Sequence, residues 1–167
     1  MTKKIYIVLN RCLGCQECER SCSKSHGYDI PRNYLVTVNN FFPIPLRCAH
    51  CEDPSCLAVC DHDAIHKTEE GAVLIDEVKC VGCGNCALAC PYGMITLDLD
   101  NKRAVKCDLC PDLTSKGQMP ACVANCALEA LYYGEKDELE ATLGSEFTKK
   151  LVTTSDLLRE VIVVKEG

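Results

Sequence analysis

The sequence predicts an α+β fold in which short hairpins and short helices wrap around bound metal instead of a large apolar core. Three observations lead there. Sixteen cysteines stand among 167 residues and fall into four groups of four. With them set aside, the apolar share drops to roughly 37%, with three Phe, six Tyr and no Trp to build an interior, which is thin for a packed domain. Between the groups, short apolar runs alternate with turn residues, the pattern of hairpins.

The groups form an internal repeat. Cys12, Cys15, Cys18 and Cys22 read C-x2-C-x2-C-x3-C, and Cys80, Cys83, Cys86 and Cys90 repeat that spacing ahead of Pro91. Cys48, Cys51, Cys56 and Cys60 read C-x2-C-x4-C-x3-C; Cys107, Cys110, Cys122 and Cys126 read C-x2-C-x11-C-x3-C. Every group opens and closes alike. A basic residue precedes each one: Arg11, Arg47, Lys79 and Lys106. After three groups an apolar pair recurs (Ala64-Ile65, Met94-Ile95, Ala130-Leu131), whereas the first has His26-Gly27. Ile65, Ile95 and Leu131 are the expected shield of the metal from water.

Taken in order, Tyr34 to Val38 reads as a short strand ended by Asn39-Asn40, and Pro43 and Pro45 hold an extended approach to the second group. Pro54 suits the first turn of a helix ending near Cys60, and each closing C-x3-C fits such a helical turn. Ala64 to Asp76 forms a hairpin around Glu70-Gly71; Met94 to Leu99 turns at Asp100-Asn101 and returns through Arg103 to Val105. Asp112 to Pro120 is a polar surface loop. Beyond Gly134, Lys136 to Leu143 and Ser155 to Glu160 read as helices, the second capped by Ser155, and Val161 to Val164 as a final strand.

A cubane cluster needs four thiolates, three of which C-x2-C-x2-C supplies from one turning loop, while the fourth Cys, on the segment leading away, binds the neighbouring cluster in two-cluster proteins. Sixteen cysteines therefore match four [4Fe-4S] clusters. Zinc sites favour two pairs a dozen or more residues apart, and the first and third groups are too compressed for that. A disulfide scaffold needs an oxidising compartment, but Ile5 to Leu9 is too short for a secretory core and no apolar run is of membrane-spanning length. The reading is cytoplasmic and soluble, without membrane insertion. The net charge of −6 argues against nucleic acid as a partner. Four oxidised clusters with their thiolates would take it to about −14, which favours low potentials. The basic residues before the groups either offset that charge and raise the potential, in which case neutralising Lys79 should lower that of a nearby cluster, or are solvated surface side chains. His50 and His62 are expected to tune a cluster or meet solvent, not to ligate. No catalytic motif of nucleophile-elbow, Walker, dinucleotide or zincin type is present, so the chain is expected to be non-catalytic.

At Arg47-Cys48-Ala49-His50-Cys51-Glu52-Asp53-Pro54-Ser55-Cys56, at Cys80 to Pro91, and at Lys106-Cys107-Asp108-Leu109-Cys110 with Pro120-Ala121-Cys122, the sequence resembles the four-cluster ferredoxin-like small subunits of anaerobic oxidoreductases. These accompany formate dehydrogenases and formate hydrogenlyases, CO dehydrogenases, dimethyl sulfoxide reductases and tungsten aldehyde oxidoreductases. The resemblance covers Ile5 to about Gly134 and implies a nested pair of ferredoxin-like units, residues 1–47 with 104–134 and residues 48–103, followed by a tail, 135–167, that could contact a partner. It further implies four ligand sets: Cys12, Cys15, Cys18 with Cys126; Cys107, Cys110, Cys122 with Cys22; Cys48, Cys51, Cys56 with Cys90; and Cys80, Cys83, Cys86 with Cys60. Spacing alone leaves pairing of adjacent groups open. Ser23, Asp61 and Ala127 replace the Pro that often follows the last Cys, which removes no ligand. The implied function is a one-electron relay between a large catalytic subunit (a tungsten or molybdenum enzyme, or a CO dehydrogenase) and another acceptor or donor. A free-standing polyferredoxin, a zinc-binding structural protein and a self-associating wire are the competing readings.

Overall fold

The computed structural model describes residues 3–27, 30–39 and 41–163, with 159–163 as backbone. Four two-stranded antiparallel sheets organise it. The first strand, β1 (Lys4–Ile7), pairs with the last, β8 (Leu131–Gly134). The others are local hairpins: β2 (Asn33–Val38) with β3 (Phe42–Arg47), β4 (Ile65–Lys67) with β5 (Val73–Ile75), and β6 (Thr96–Asp98) with β7 (Arg103–Val105). Each cysteine group follows the second strand of a sheet, β1 serving as that strand for the first group. A helix carrying its third Cys then follows: α1 (Glu17–His26), α2 (Ser55–Ala58), α3 (Asn85–Ala89) and, after the single turn α4 (Pro111–Thr114), α5 (Ala121–Ala124). The sequence repeat is thus a structural repeat, and β1 with β8 closes it. Helix α1 packs on α5, and α2 on α3.

Pro43 and Pro45 lie inside a paired strand, beyond the merely extended approach expected. They face Thr37 and Leu35 in the register, two residues apart, so both nitrogens share one side of β3. Since neither can donate, that side is the open edge of the sheet. The expected surface loop at 112–120 holds, with α4 as its first turn and residues 115–119 exposed.

Two small apolar clusters form the interior. Ile5, Ile7, Leu109 and Leu131 surround Cys107 and Cys122; Ile65, Val73, Ile95 and Ala104 surround Cys56 and Cys86. Each buried aliphatic contributes about 1.5–3 kcal/mol, and few are available, so the cysteines occupy positions that a conventional core would fill with Leu or Phe.

The tail docks onto the β1–β8 sheet. Tyr6, Val8 and Leu151 form its core with Tyr132, Leu139 and Phe147, and Ile7 and Val152 exchange backbone hydrogen bonds of 2.7 and 3.0 Å. Helix α6 (Lys136–Leu143) matches expectation; α7 (Ser145–Thr148) was not foreseen. The last helix, α8 (Thr154–Val163), corrects two readings. Its cap is Thr153, two residues earlier than Ser155: the Asp156 N–H donates to Thr153 Oγ1 at 3.3 Å and the Thr153 N–H to the Asp156 carboxylate at 2.9 Å. This reciprocal pair is a capping box. Val161 to Val163 end this helix instead of forming a strand, because a capped helix anchored by Leu157 on the core outweighs the β-preference of three residues. Val164 lies outside the described residues.

Candidate iron–sulfur centres

All four groups make the same turn. The residue before the second Cys has a left-handed backbone in each: Gly14 (φ +75°), His50 (+46°), Gly82 (+70°) and Leu109 (+65°). That reversal lets a short loop turn successive sulfurs inward. In the first and third groups glycine removes the strain, and at Gly82 it is also needed for space, since a Cβ there would lie 2.5 Å from the Lys102 carbonyl oxygen.

Three cavities gather the cysteines across the chain. One is lined by Cys12, Cys15, Cys18 and Cys126, with Leu35, Pro45 and Leu131. A second is lined by Cys48, Cys51, Cys56 and Cys90, with Val73 and Ile95, and a third by Cys60, Cys80, Cys83 and Cys86, with Ile65 and Ile75. The remaining four also converge. His26 links Cys22 and Cys110, with its Nδ1 3.7 Å from Cys22 Sγ and its Nε2 4.0 Å from Cys110 Sγ. Cys122, packed in one core cluster with Cys107, lies within electrostatic reach of Cys22 and Cys110. Cys48 packs on that same cluster, which joins the second group to the fourth.

Backbone N–H groups point at the sulfurs: Ala130 to Cys126 and Arg32 to Cys22 at 3.3 Å, Met94 to Cys90 at 3.4 Å, and Ala104 to Cys80 at 3.3 Å. Met94 and Ala130 stand at the recurring position four residues after the last Cys, so in the third and fourth groups the chain turns there to donate to sulfur. At the same place in the first group α1 runs on to His26, and Arg32 donates instead.

The four basic residues divide. Arg47 and Lys106 are buried, 1% and 4% exposed, while Lys79 is exposed. Arg11 donates to the Tyr132 hydroxyl at 2.9 Å and lies 5.0 Å from the Phe147 ring centroid, holding the tail. The local chain explains the split. Arg47 ends β3 and Lys106 directly follows β7, whereas a 3-10 turn (Leu9–Arg11) precedes the first group and a turn from Asp76 precedes the third.

The histidines also divide. His62 is exposed on the wall of the third cavity. His50 is buried, its Nδ1 accepting the Val73 N–H at 2.9 Å; burial, with the Lys106 charge, holds it well below the usual imidazole range. His26 belongs to a network that the sequence reading missed. Asp108 accepts from His26 Nε2 at 3.1 Å and from Arg32, and Arg32 reaches Glu77, which also pairs with Arg103. Burial alone would lower the His26 pKa, but Asp108 and the Cys110 and Cys22 sulfurs raise it. Burial would likewise raise the Asp108 carboxyl, which His26 and Arg32 hold down. The signal was present in the sequence, as His26 is the polar residue where the other groups have an apolar one.

The donor chemistry fits iron–sulfur clusters. All sixteen thiols are free of disulfides. Burial pushes Cys18, Cys56 and Cys122 up to about 11, so thiolates there need positive charge beside them, which iron supplies. Arg47 pulls Cys18 and Cys122 partly back, as Lys106 does Cys56. His26, Asp108 and Cys110 bring three donor atoms within 4.8 Å of one another, but the carboxylate is already committed to Arg32 and His26.

Short hairpins carrying repeated cysteine loops around sulfur-lined cavities define an iron–sulfur electron-transfer protein with four [4Fe-4S] clusters. The chain belongs to the 4Fe-4S dicluster domain family, whose model matches residues 38–136. It is 34% identical to the B subunit of the anaerobic dimethyl sulfoxide reductase of Escherichia coli (strain K12), over 96% of this chain and 86% of the relative. It is 33% identical to the thiosulfate reductase electron transfer subunit of Salmonella typhi, over 81% and 78%, and 32% identical to the formate dehydrogenase-O iron-sulfur subunit of E. coli (strain K12), over 88% and 57%. Among the described residues no helix is long and apolar enough to cross a membrane.

Proposed function

We propose that this chain is the non-catalytic relay subunit of a cytoplasmic oxidoreductase complex, passing single electrons between a large molybdenum- or tungsten-containing catalytic subunit and a second acceptor or donor. Cys12, Cys15, Cys18 and Cys126 hold one cluster and Cys107, Cys110, Cys122 and Cys22 its neighbour. Cys48, Cys51, Cys56 and Cys90 hold the third, and Cys80, Cys83, Cys86 and Cys60 the last. Residues 1–47 with 104–134 form one unit and 48–103 the other. The observation that carries the reading is that each of three cavities combines three cysteines of one group with the last cysteine of another. The packing of α1 on α5 and α2 on α3 supports the same nesting. Electrons then travel in the order first, fourth, second, third group, since Cys48 adjoins the cluster of residues around Cys107.

The test is cysteine exchange in the anaerobically reconstituted chain. Cys15→Ser and Cys126→Ser should disturb one and the same electron paramagnetic resonance signal, and Cys51→Ser and Cys90→Ser another, each variant losing about four iron atoms of about sixteen. If Cys126→Ser instead disturbs the signal that Cys107→Ser disturbs, the nested sets are wrong. Anaerobic affinity purification should retain a large catalytic subunit; recovery of the chain alone would favour a free-standing polyferredoxin.

A further inference from the structure

We propose that Arg47 and Lys106 are a reciprocal pair of buried cations, each standing one residue before a cysteine of one unit and extending its charge into the other, and that they raise the reduction potentials of the clusters there. The inference rests on the ligand sets proposed above, which the cysteine exchanges decide independently of any charge change.

Arg47 immediately precedes Cys48, yet its side chain turns away from the second group. Its Nη2 donates to the Pro45 carbonyl at 3.0 Å, and Pro45 is a wall of the cavity of Cys12, Cys15, Cys18 and Cys126. Lys106 immediately precedes Cys107, yet its Nζ donates to the Val73 carbonyl, and Val73 is a wall of the cavity of Cys48, Cys51, Cys56 and Cys90. A second Nζ hydrogen bond, 3.0 Å to the Cys107 carbonyl, fixes the ammonium between the two groups. Both positions are sealed. Thr154 of the docked tail accepts the Arg47 N–H at 3.2 Å, and the guanidinium Nε and Nη1 are buried without a protein hydrogen-bond partner among the described residues.

Neither cation has a carboxylate within 4.0 Å among the described residues. Burying an unpaired charge costs several kcal/mol, so a counter-charge must enter the same interior. Cluster and thiolates together bring about −2 each, and reduction adds one more negative charge. A cation fixed in low dielectric stabilises the reduced form more than the oxidised, which raises the potential. An exposed lysine is screened by water and salt. Lys79 is exposed, which corrects the tuning effect expected of it from its place in the sequence and makes it the internal control.

The test is a redox titration followed by electron paramagnetic resonance on the reconstituted full chain, with signals assigned by the cysteine exchanges. Arg47→Gln should lower the potentials of the clusters of the first and fourth groups, which hold Cys18 and Cys122, and Lys106→Gln that of the second, the first and second each by at least a tenfold change in the one-electron equilibrium, about 59 mV. Lys79→Gln should leave all four in place, and Arg47→Lys and Lys106→Arg should stay near the parent. Unchanged potentials in the glutamine variants, with iron intact, would overturn the proposal, as would equal shifts in the charge-conserving ones. If Arg47→Gln does not assemble, Lys106→Gln decides, since its shift is equally required. If neither glutamine variant holds iron while both charge-conserving variants do so at parental potentials, the cations serve assembly and the proposal fails.

Discussion

Replacing Gly82 with alanine probes how closely the third loop approaches its neighbour. The added Cβ would lie 2.5 Å from the Lys102 carbonyl oxygen, 2.6 Å from its carbon and 3.1 Å from the Arg103 nitrogen, all backbone atoms of the β6–β7 hairpin. A left-handed residue other than glycine costs about 1–2 kcal/mol, and forcing packed backbone aside adds about 1–3 kcal/mol, so Gly82→Ala should cost about 2–5 kcal/mol. The displaced segment also carries the Ala104 N–H that donates to Cys80 Sγ at 3.3 Å, so iron held by the Cys80 loop should be lost first. Gly93→Ala is the matched control: φ is +64° and no atom lies within 4 Å, leaving only the backbone contribution of about 1–2 kcal/mol. The assay is the thermal midpoint of the iron-loaded chain together with iron retained against a chelator. At about 2–4 °C per kcal/mol, Gly82→Ala should melt at least about 2 °C below Gly93→Ala. Equal losses in the two variants would refute the close-approach argument.

Asp108→Asn should destabilise the loaded chain by about 2 kcal/mol, less than a fully buried pair because the carboxylate is partly exposed and Arg32 keeps Glu77; a melting curve indistinguishable from the parent would remove any structural role for the His26 network. Thr153→Ala removes one half of the capping box of α8 and should cost about 1 kcal/mol, read as earlier proteolysis of the tail, while Ser155→Ala should have a smaller effect.

Local chemistry was legible and long-range placement was not. The hairpins at Glu70-Gly71 and Asp100-Asn101 declare themselves through turn residues and short alternating runs, and the metal sites through spacing. The pairing of β1 with β8 has no local signal, because strands 127 residues apart meet only through the packing of everything between them. The same limit divided Arg47 and Lys106 from Lys79: the motif is alike, but only the first two step straight off a strand into the interior. Val161 to Val163 shows the opposite failure, a local preference for strand that the preceding capped helix overrides. His26 was visible as a break in the repeat, but its partner Asp108 lies 82 residues away.

The closing sheet has a consequence for biosynthesis. The apolar Ile5 and Ile7 leave the ribosome long before the edge they are to join, which is not made until residue 134. At about 5–20 residues per second this strand waits several seconds for its partner. The middle of the polypeptide, whose hairpins are all local, has no such delay. Strand β1 is therefore locked later than the local hairpins, and the tail that docks on its sheet later still.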